Sequence, residues 1–334
     1  MSVFAAATGV GSWPGSTPRE AAEIVIGELH RLPHLVELPD RGVGADLIGR
    51  AGGLLVDIAI DTVTRGYRIA ARPGAVMRRA RSLLDEDIDA LEEAWEKAGG
   101  GDCVVKVQAP GPITLAAQLE LANGHRAITD AGAVRDLTAS LAEGVSRHRA
   151  EVARRLSTTV VVQFDEPLLT VALAGRLTGV TALSTVHPVD ETRFISLLDE
   201  CVAAVGGEAM LHSCAAQLPW KALRRSMISA VSLDVDTLSA GELDGLGEFI
   251  DSGRTVVLGV VPALAPARPT SVEELAAAAV AVTDRLGFAR AVLRDRIGIS
   301  PACGLAGASE AWARSAIGLA QRVAEVMASE PESV

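Results

Sequence analysis

An imidazole and a thiol stand two positions apart in His212-Ser213-Cys214, directly after the apolar run Ala209-Met210-Leu211, and another thiol stands in Pro301-Ala302-Cys303-Gly304. Along an extended strand, residues two apart point to the same side, so His212 and Cys214 can converge on one point where the strand ends. Imidazole and thiolate donors favour zinc among divalent metals, and a catalytic zinc retains an exchangeable position. Cys303 reaches the same point only if the fold sets its strand near that of His212. Otherwise Cys214 and Cys303 read as small buried residues, and His212 as a hydrogen-bonded polar group at the sheet edge. Asp234 closes Val231-Ser232-Leu233 and offers either an oxygen ligand or a cap for the following turn. Of the chain's four cysteines, the other two read as core: Cys103 at a strand entrance and Cys201 inside a helix.

A zinc site with two thiolates suits activation of a substrate thiol, because the metal favours loss of the thiol proton while electron-rich ligands leave the sulfur nucleophilic. Hydrolysis through metal-bound water is the alternative, although no separate His-Glu dyad marks a base. Carboxylates stand at two other apolar runs. Asp165-Glu166-Pro167 puts two charges beside a strand end, where both are unlikely to face the core. Glu37 after Val36 reads as a ligand-binding or a loop carboxylate. Ser12 alone reads as a helix cap, and Lys106 as a pocket cation or a charged strand residue.

Eight short apolar runs must position these groups: Ala7 to Gly11, His34 to Leu38, Val104 to Gln108, Val160 to Phe164, Ala209 to His212, Ala230 to Asp234, Thr255 to Val260 and Ile297 to Ser300. Helical patterns lie between them at 17–30, 41–51, 73–98, 112–120, 130–157, 190–205, 218–227, 240–252, 271–295 and 308–330. Entry signals include Thr17-Pro18, Asp190-Glu191 and Ser271-Val272-Glu273-Glu274. Such alternation predicts parallel strands with helical crossovers, and eight units close most economically as an α/β fold of the (β/α)8 TIM-barrel type over residues 1–334. Ser12, Glu37, Asp165, Glu166, His212, Cys214, Asp234 and Cys303 all fall near the carboxyl ends of the runs, where such a barrel carries its active site. Two stretches break the pattern as extended excursions. Residues 54–72, with the only tyrosine, Tyr67, and residues 180–190 can cap the barrel or form a subunit contact. A doubly wound open sheet is the competing fold, but Gly9-Val10-Gly11-Ser12-Trp13-Pro14 lacks the GxGxxG spacing and carries Pro14 at the expected helix entry.

With 334 residues, 49% of them hydrophobic, the chain can bury a large core filled by Val, Leu, Ile and Ala, since aromatics are only 3%. A formal net charge of −11 argues against nonspecific binding to nucleic acid. No apolar run reaches the roughly 18 residues of a membrane span, and no secretory pattern opens the chain, so a cytoplasmic location is expected. The Leu- and Ala-rich surfaces of 271–295 and 308–330 are explained by packing around a barrel and carry no evidence on oligomeric state.

In order along the chain, Val10-Gly11-Ser12-Trp13-Pro14, Val36-Glu37, Lys106 with Gly111-Pro112-Ile113-Thr114, Phe164-Asp165-Glu166-Pro167, His212-Ser213-Cys214 and Pro301-Ala302-Cys303-Gly304 resemble the catalytic barrel of cobalamin-independent methionine synthases, within the superfamily that includes uroporphyrinogen decarboxylase. The resemblance implies zinc held by His212, Cys214 and Cys303, with Asp234 where the family has a glutamate ligand, one methylene longer. It implies homocysteine as the thiol substrate and a methylated folate as donor. Val10, Gly11 and Ser12 then look like the segment receiving the amino-acid carboxylate, Glu37 and Asp165 like the residues receiving its ammonium, and Glu166 like their neighbour in the pocket. Two departures bear on the donor. Leu264 stands where the family has a proton-transferring histidine and Pro262 where it has an aspartate, and the chain resembles only the catalytic half of the two-barrel enzyme. A methylated corrinoid protein or a small thioether or sulfonium donor demands less of a missing acid.

Two rival readings remain at this level. A related barrel lyase or decarboxylase would need a cationic pocket, which Arg50, Arg65, Arg68, Arg72, Arg78 and Arg79 can supply, although solvated helix faces are their simpler role. A non-catalytic zinc- and thiol-binding protein would fit the missing proton donor.

Overall fold

The computed structural model describes residues 2–101, 103–180, 186–329 and 331–332. Its strands are β1 (Ala59–Val63), β2 (Gly66–Ala70), β3 (Val105–Pro110), β4 (Leu119–Glu120), β5 (Val160–Asp165), β6 (Ala209–Ser213), β7 (Ala230–Asp234), β8 (Thr255–Val261) and β9 (Ile297–Pro301). Six of them, β3-β5-β6-β7-β8-β9, lie side by side in that order and all parallel. Val160-Val161-Val162 and Val256-Val257 show why: both faces of these strands are buried, so they read as continuous branched runs.

The first two expected strands fill the remaining two barrel positions without forming regular ladders. Ala7 bridges Ile299 of β9, Ser12 bridges Glu37, and His34 bridges Lys106 of β3, each in parallel. These bridges close the sheet on itself, giving eight positions and excluding the open doubly wound alternative. The first position cannot run as a regular strand because Gly11 has φ +144°, a conformation that L side chains rarely adopt, and a Cβ there would fall on Gln108 Nε2.

Register divides the barrel interior into layers. Val161, Met210, Ala230 and Val257, with Phe4, Ala6 and Leu32, form a buried apolar plug toward the amino ends of the strands. Two residues further along β5, β6 and β7 come Gln163, His212 and Ser232, and two further again Asp165, Cys214 and Asp234. The period of two that turns a strand's alternate side chains inward thus converts an apolar floor into a polar mouth.

Around the barrel pack α1 (Pro18–Glu28), α2 (Leu47–Leu54), α3 (Ala75–Lys97), α4 (Pro112–Gln118), α5 (Ala131–Leu156), α6 (Leu169–Leu173), α7 (Glu191–Val205), α8 (Trp220–Arg225), α9 (Leu243–Asp251), α10 (Val272–Arg285), α11 (Ala291–Arg296) and α12 (Glu310–Ser329). The helix expected over 41–51 starts later, at Leu47, because Gly42 and Gly44 have φ near +85° and Asp46 caps the first turn through Ile48 N and Gly49 N. The segment 271–295 is two helices, not one, divided at Gly287 (φ +73°).

The excursion at 54–72 is an antiparallel hairpin of β1 and β2, joined to β4 in parallel. Tyr67 ties it to the entry of α2: its hydroxyl accepts from Gly44 N and donates to Asp46. Of the second excursion, residues 181–185 lie outside the described residues, and Val180 and Val186–Asp190 form no strand. No helix among the described residues is long and apolar enough to cross a membrane.

Candidate active site

His212 lies on β6, Cys214 one residue past its end, and Cys303 in the turn after β9. One donor atom of each lies within 4.8 Å of the others, making the candidate metal group among the described residues. His212 Nε2 is 3.1 Å from Cys214 Sγ, while its Nδ1 meets Ser232 Oγ of β7 at 3.0 Å. That second contact orients the ring so that Nε2 faces the thiols, the role outer partners play for metal-binding imidazoles. The neighbouring Cys303 thiol and burial push Cys214 up, and the Cys214 thiol, with His212, pulls Cys303 down against burial.

Zinc fits this donor set. Two thiols and an imidazole, one thiol already disposed to lose its proton, match its preferred chemistry, and donors about 2.0–2.3 Å from a tetrahedral ion sit roughly 3.5 Å apart. Asp234 stands at the end of β7 near this group but outside the cluster of three. Its Oδ1 accepts from Asp236 N at 3.0 Å, capping the short helical turn that follows.

A cavity of about 290 Å³ opens beside the three donors, lined also by Val10, Ser12, Glu37 and Asp165. Pro39, Ala45, Leu47, Pro167 and Ala306 supply its apolar part. Gly304 is needed at the junction of two walls, because a Cβ there would fall on Ser12 Oγ; Leu305 N donates to Ser12 O across the same junction at 2.9 Å. The N–H groups of Gly11 and Ser12 have no protein acceptor among the described residues, whereas Gly11 O accepts from Glu37 N and Glu37 O from Trp13 N. Of the two residues, Ser12 lines the cavity.

Glu37 and Asp165 are both buried, and burial raises both above the ordinary carboxyl range. For Glu37 the pull of Arg50 and Lys106 opposes the rise; for Asp165 the neighbouring Glu37 charge adds to it and Lys106 opposes it. Arg50, read from the sequence as one of several solvated helix cations, is buried. Its Nε lies 3.6 Å from Glu37 Oε1, and its guanidinium binds Asp87, which also binds Arg41 at 2.6 Å. Asp87 is fully buried, so it would be an unpaired charge without these arginines. Arg65, Arg68, Arg72, Arg78 and Arg79 are exposed, as expected, and none lines the cavity.

Glu166 stands apart from the cavity lining. One carboxylate oxygen accepts from Ile113 N at 2.8 Å, and the other from Thr114 N and Thr114 Oγ1 at 2.8 and 2.7 Å, so the side chain anchors the first turn of α4. Burial pushes it up to about 7 against the pull of these donors. Sequence reasoning gave no place to Ser232, Gln163 or the Arg41–Asp87–Arg50 group. A polar residue at every second position of Val-Lys-Val-Gln and Val-Gln-Phe-Asp was the available signal for the interior ones.

Comparison with known proteins identifies the family and the fold. Residues 4–326 match the family model described as the catalytic domain of cobalamin-independent synthase. The chain belongs to this family. Membership in the cobalamin-independent synthase family supports methyl transfer as the reaction class. Among solved structures, the fold is similar to a B12-independent methionine synthase from Shewanella sp. W3-18-1 in complex with selenomethionine, with a TM-score of 0.65 at 14% identity over 99% of this chain and 100% of that one. It is also similar to a methyltransferase from Methanosarcina mazei, with a TM-score of 0.57 at 16% identity over 97% and 91% of the two chains. No curated protein sequence matches the chain significantly.

Proposed function

We propose that residues 1–334 act as one catalytic barrel, a zinc-dependent methyltransferase that moves a methyl group to the thiol of homocysteine and forms methionine. The observation that carries this reading is the convergence of His212, Cys214 and Cys303 on the wall of a small cavity whose other polar lining is Glu37, Asp165 and Ser12. Zinc held by the imidazole and the two thiolates would supply a Lewis acid that favours the thiolate form of a substrate sulfur at neutral pH.

The chain's own groups do the rest by orientation. Glu37 and Asp165 accept hydrogen bonds from the substrate ammonium. The free N–H groups of Gly11 and Ser12, with the Ser12 hydroxyl, donate to its carboxylate. The apolar rim of Pro39, Leu47 and Pro167 keeps water from competing for the methyl group. Neither arginine nor lysine lines the cavity, which favours this reading over a decarboxylase that must hold a larger polycarboxylate.

Leu264 is 60% exposed, and its side chain approaches Gly307, just beyond cavity-lining Ala306. It cannot protonate a folate nitrogen, and neither can Pro262, whose carbonyl accepts from Trp312 Nε1 at 3.1 Å. Donors whose leaving group departs without a proton, a methylated corrinoid or a sulfonium, fit these residues better than methyltetrahydrofolate. Zinc-loaded protein given homocysteine and each donor in turn is expected to form methionine faster from the corrinoid or the sulfonium than from the folate. Homocysteine binding with no methionine from any donor would instead support the non-catalytic reading.

A further inference from the structure

Lys106 of β3 is fully buried inside the barrel, below the cavity and outside its lining. Its Nζ donates to Gln163 Oε1 at 2.7 Å and to Val10 O at 3.3 Å. Gln163 Nε2 in turn donates to Asp165 Oδ1 and to Val10 O, each at 2.7 Å. An amide can be turned either way, and its oxygen and nitrogen ask for opposite partners. The lysine ammonium only donates and the Val10 carbonyl only accepts, so together they fix the Gln163 oxygen on the lysine side and the NH2 group toward Asp165 and Val10.

We propose that Lys106, acting through Gln163, is a positioning residue that sets the cavity's preference for a substrate bearing an ammonium group. This rests on the reading of Asp165 as an acceptor for that ammonium. With the amide pinned, one Asp165 oxygen is occupied by Gln163 and the carboxylate keeps a fixed attitude toward the cavity. The same lysine and amide hold the Val10 carbonyl, and with it the turn whose next two N–H groups are free. Without Lys106 the buried Gln163 oxygen loses its donor, and the amide is held only through its NH2 group by Asp165 and Val10, a looser hold on the carboxylate. Burial draws Lys106 down to about 7, with Asp165 and Glu37 pulling the other way; the ammonium is the form that can only donate to Gln163.

The test is calorimetric binding to zinc-loaded protein of L-methionine and of 4-(methylthio)butanoate, which has the same thioether and carboxylate but no amino group. Wild-type protein is expected to prefer methionine by at least about tenfold, the usual worth of a hydrogen bond to a charged group. Lys106→Met is expected to lose most of that preference, weakening methionine about tenfold while changing the desamino compound by less than about threefold. Gln163→Met breaks the same chain without removing a charge and is expected to give the same selective loss, which keeps the test decisive if the lysine variant fails to fold. Zinc content equal to wild type identifies the variants as intact at the metal group. Equal weakening of both ligands, or an unchanged preference in Gln163→Met, would overturn the role given to Lys106. A wild-type protein that binds the two compounds equally would instead overturn the amino-acid pocket itself.

Discussion

Cys214→Ser and Cys303→Ser are each expected to weaken zinc binding by more than about 100-fold, beyond the roughly 10–100-fold typical of losing an outer partner of a metal site. Methyl transfer to homocysteine should fall with it. The donor atoms of both thiols stand within 4.8 Å of that of His212, and either serine leaves a harder, less acidic donor in place of a thiolate. The measurement is metal content after dialysis against a chelator, read beside turnover. Cys201→Ala is the control: Cys201 lies buried in α7, away from the cavity, and its loss should leave zinc content unchanged. Full zinc occupancy and normal turnover in both serine variants would remove these residues from the chemistry.

The second large effect concerns the amino-acid end. Glu37→Gln and Asp165→Asn are each expected to raise KM for homocysteine by about 10–100-fold, the equivalent of roughly 1.5–3 kcal/mol for a hydrogen bond to a charged group, while leaving zinc content unchanged. Glu37 also gives the pH dependence a sign. Burial raises its pKa, with Arg50 and Lys106 opposing, so its carboxylate is lost at a higher pH than that of an ordinary glutamate. KM should therefore climb on acidification earlier than a pKa of about 4.3 would give, and Glu37→Gln should move that limb to lower pH, because it also relieves Asp165 of the neighbouring charge. The linked stability effect runs the other way. A folded state that holds this proton more tightly than the unfolded chain is favoured as pH falls and loses that contribution as pH rises through the raised value. A KM profile for Glu37→Gln that overlays the wild type would detach Glu37 from the substrate.

The barrel was legible because its strands are short branched apolar runs, and the helices between them carry caps such as Asp190 and the Ser271–Glu274 box. Six of the eight expected strands form a continuous parallel sheet, and the runs at Ala7 and His34 close it through single bridges. Apolar composition does not reveal that difference, which arises from Gly11 and from backbone partners distant in sequence. The three sulfur and nitrogen donors were also legible, since strand periodicity sets His212 and Cys214 on one side and barrel closure brings up Cys303. What each carboxylate touches was not. Asp165 and Glu166 are adjacent, yet one faces the barrel mouth and the other the backbone of α4, a distinction made by the alternation of side chains at a strand end. Arg50 was misread for a similar reason: its partner Asp87 lies 37 residues away on α3, and nothing local distinguishes a buried, paired arginine from a solvated one.

The central claim is that His212, Cys214 and Cys303 hold a zinc ion whose remaining position accepts a substrate thiol. X-ray absorption at the zinc edge tests it directly. The zinc-loaded protein should show two sulfur neighbours, and three after homocysteine is added. A first shell with no protein sulfur, or one that does not change with homocysteine, would contradict the account.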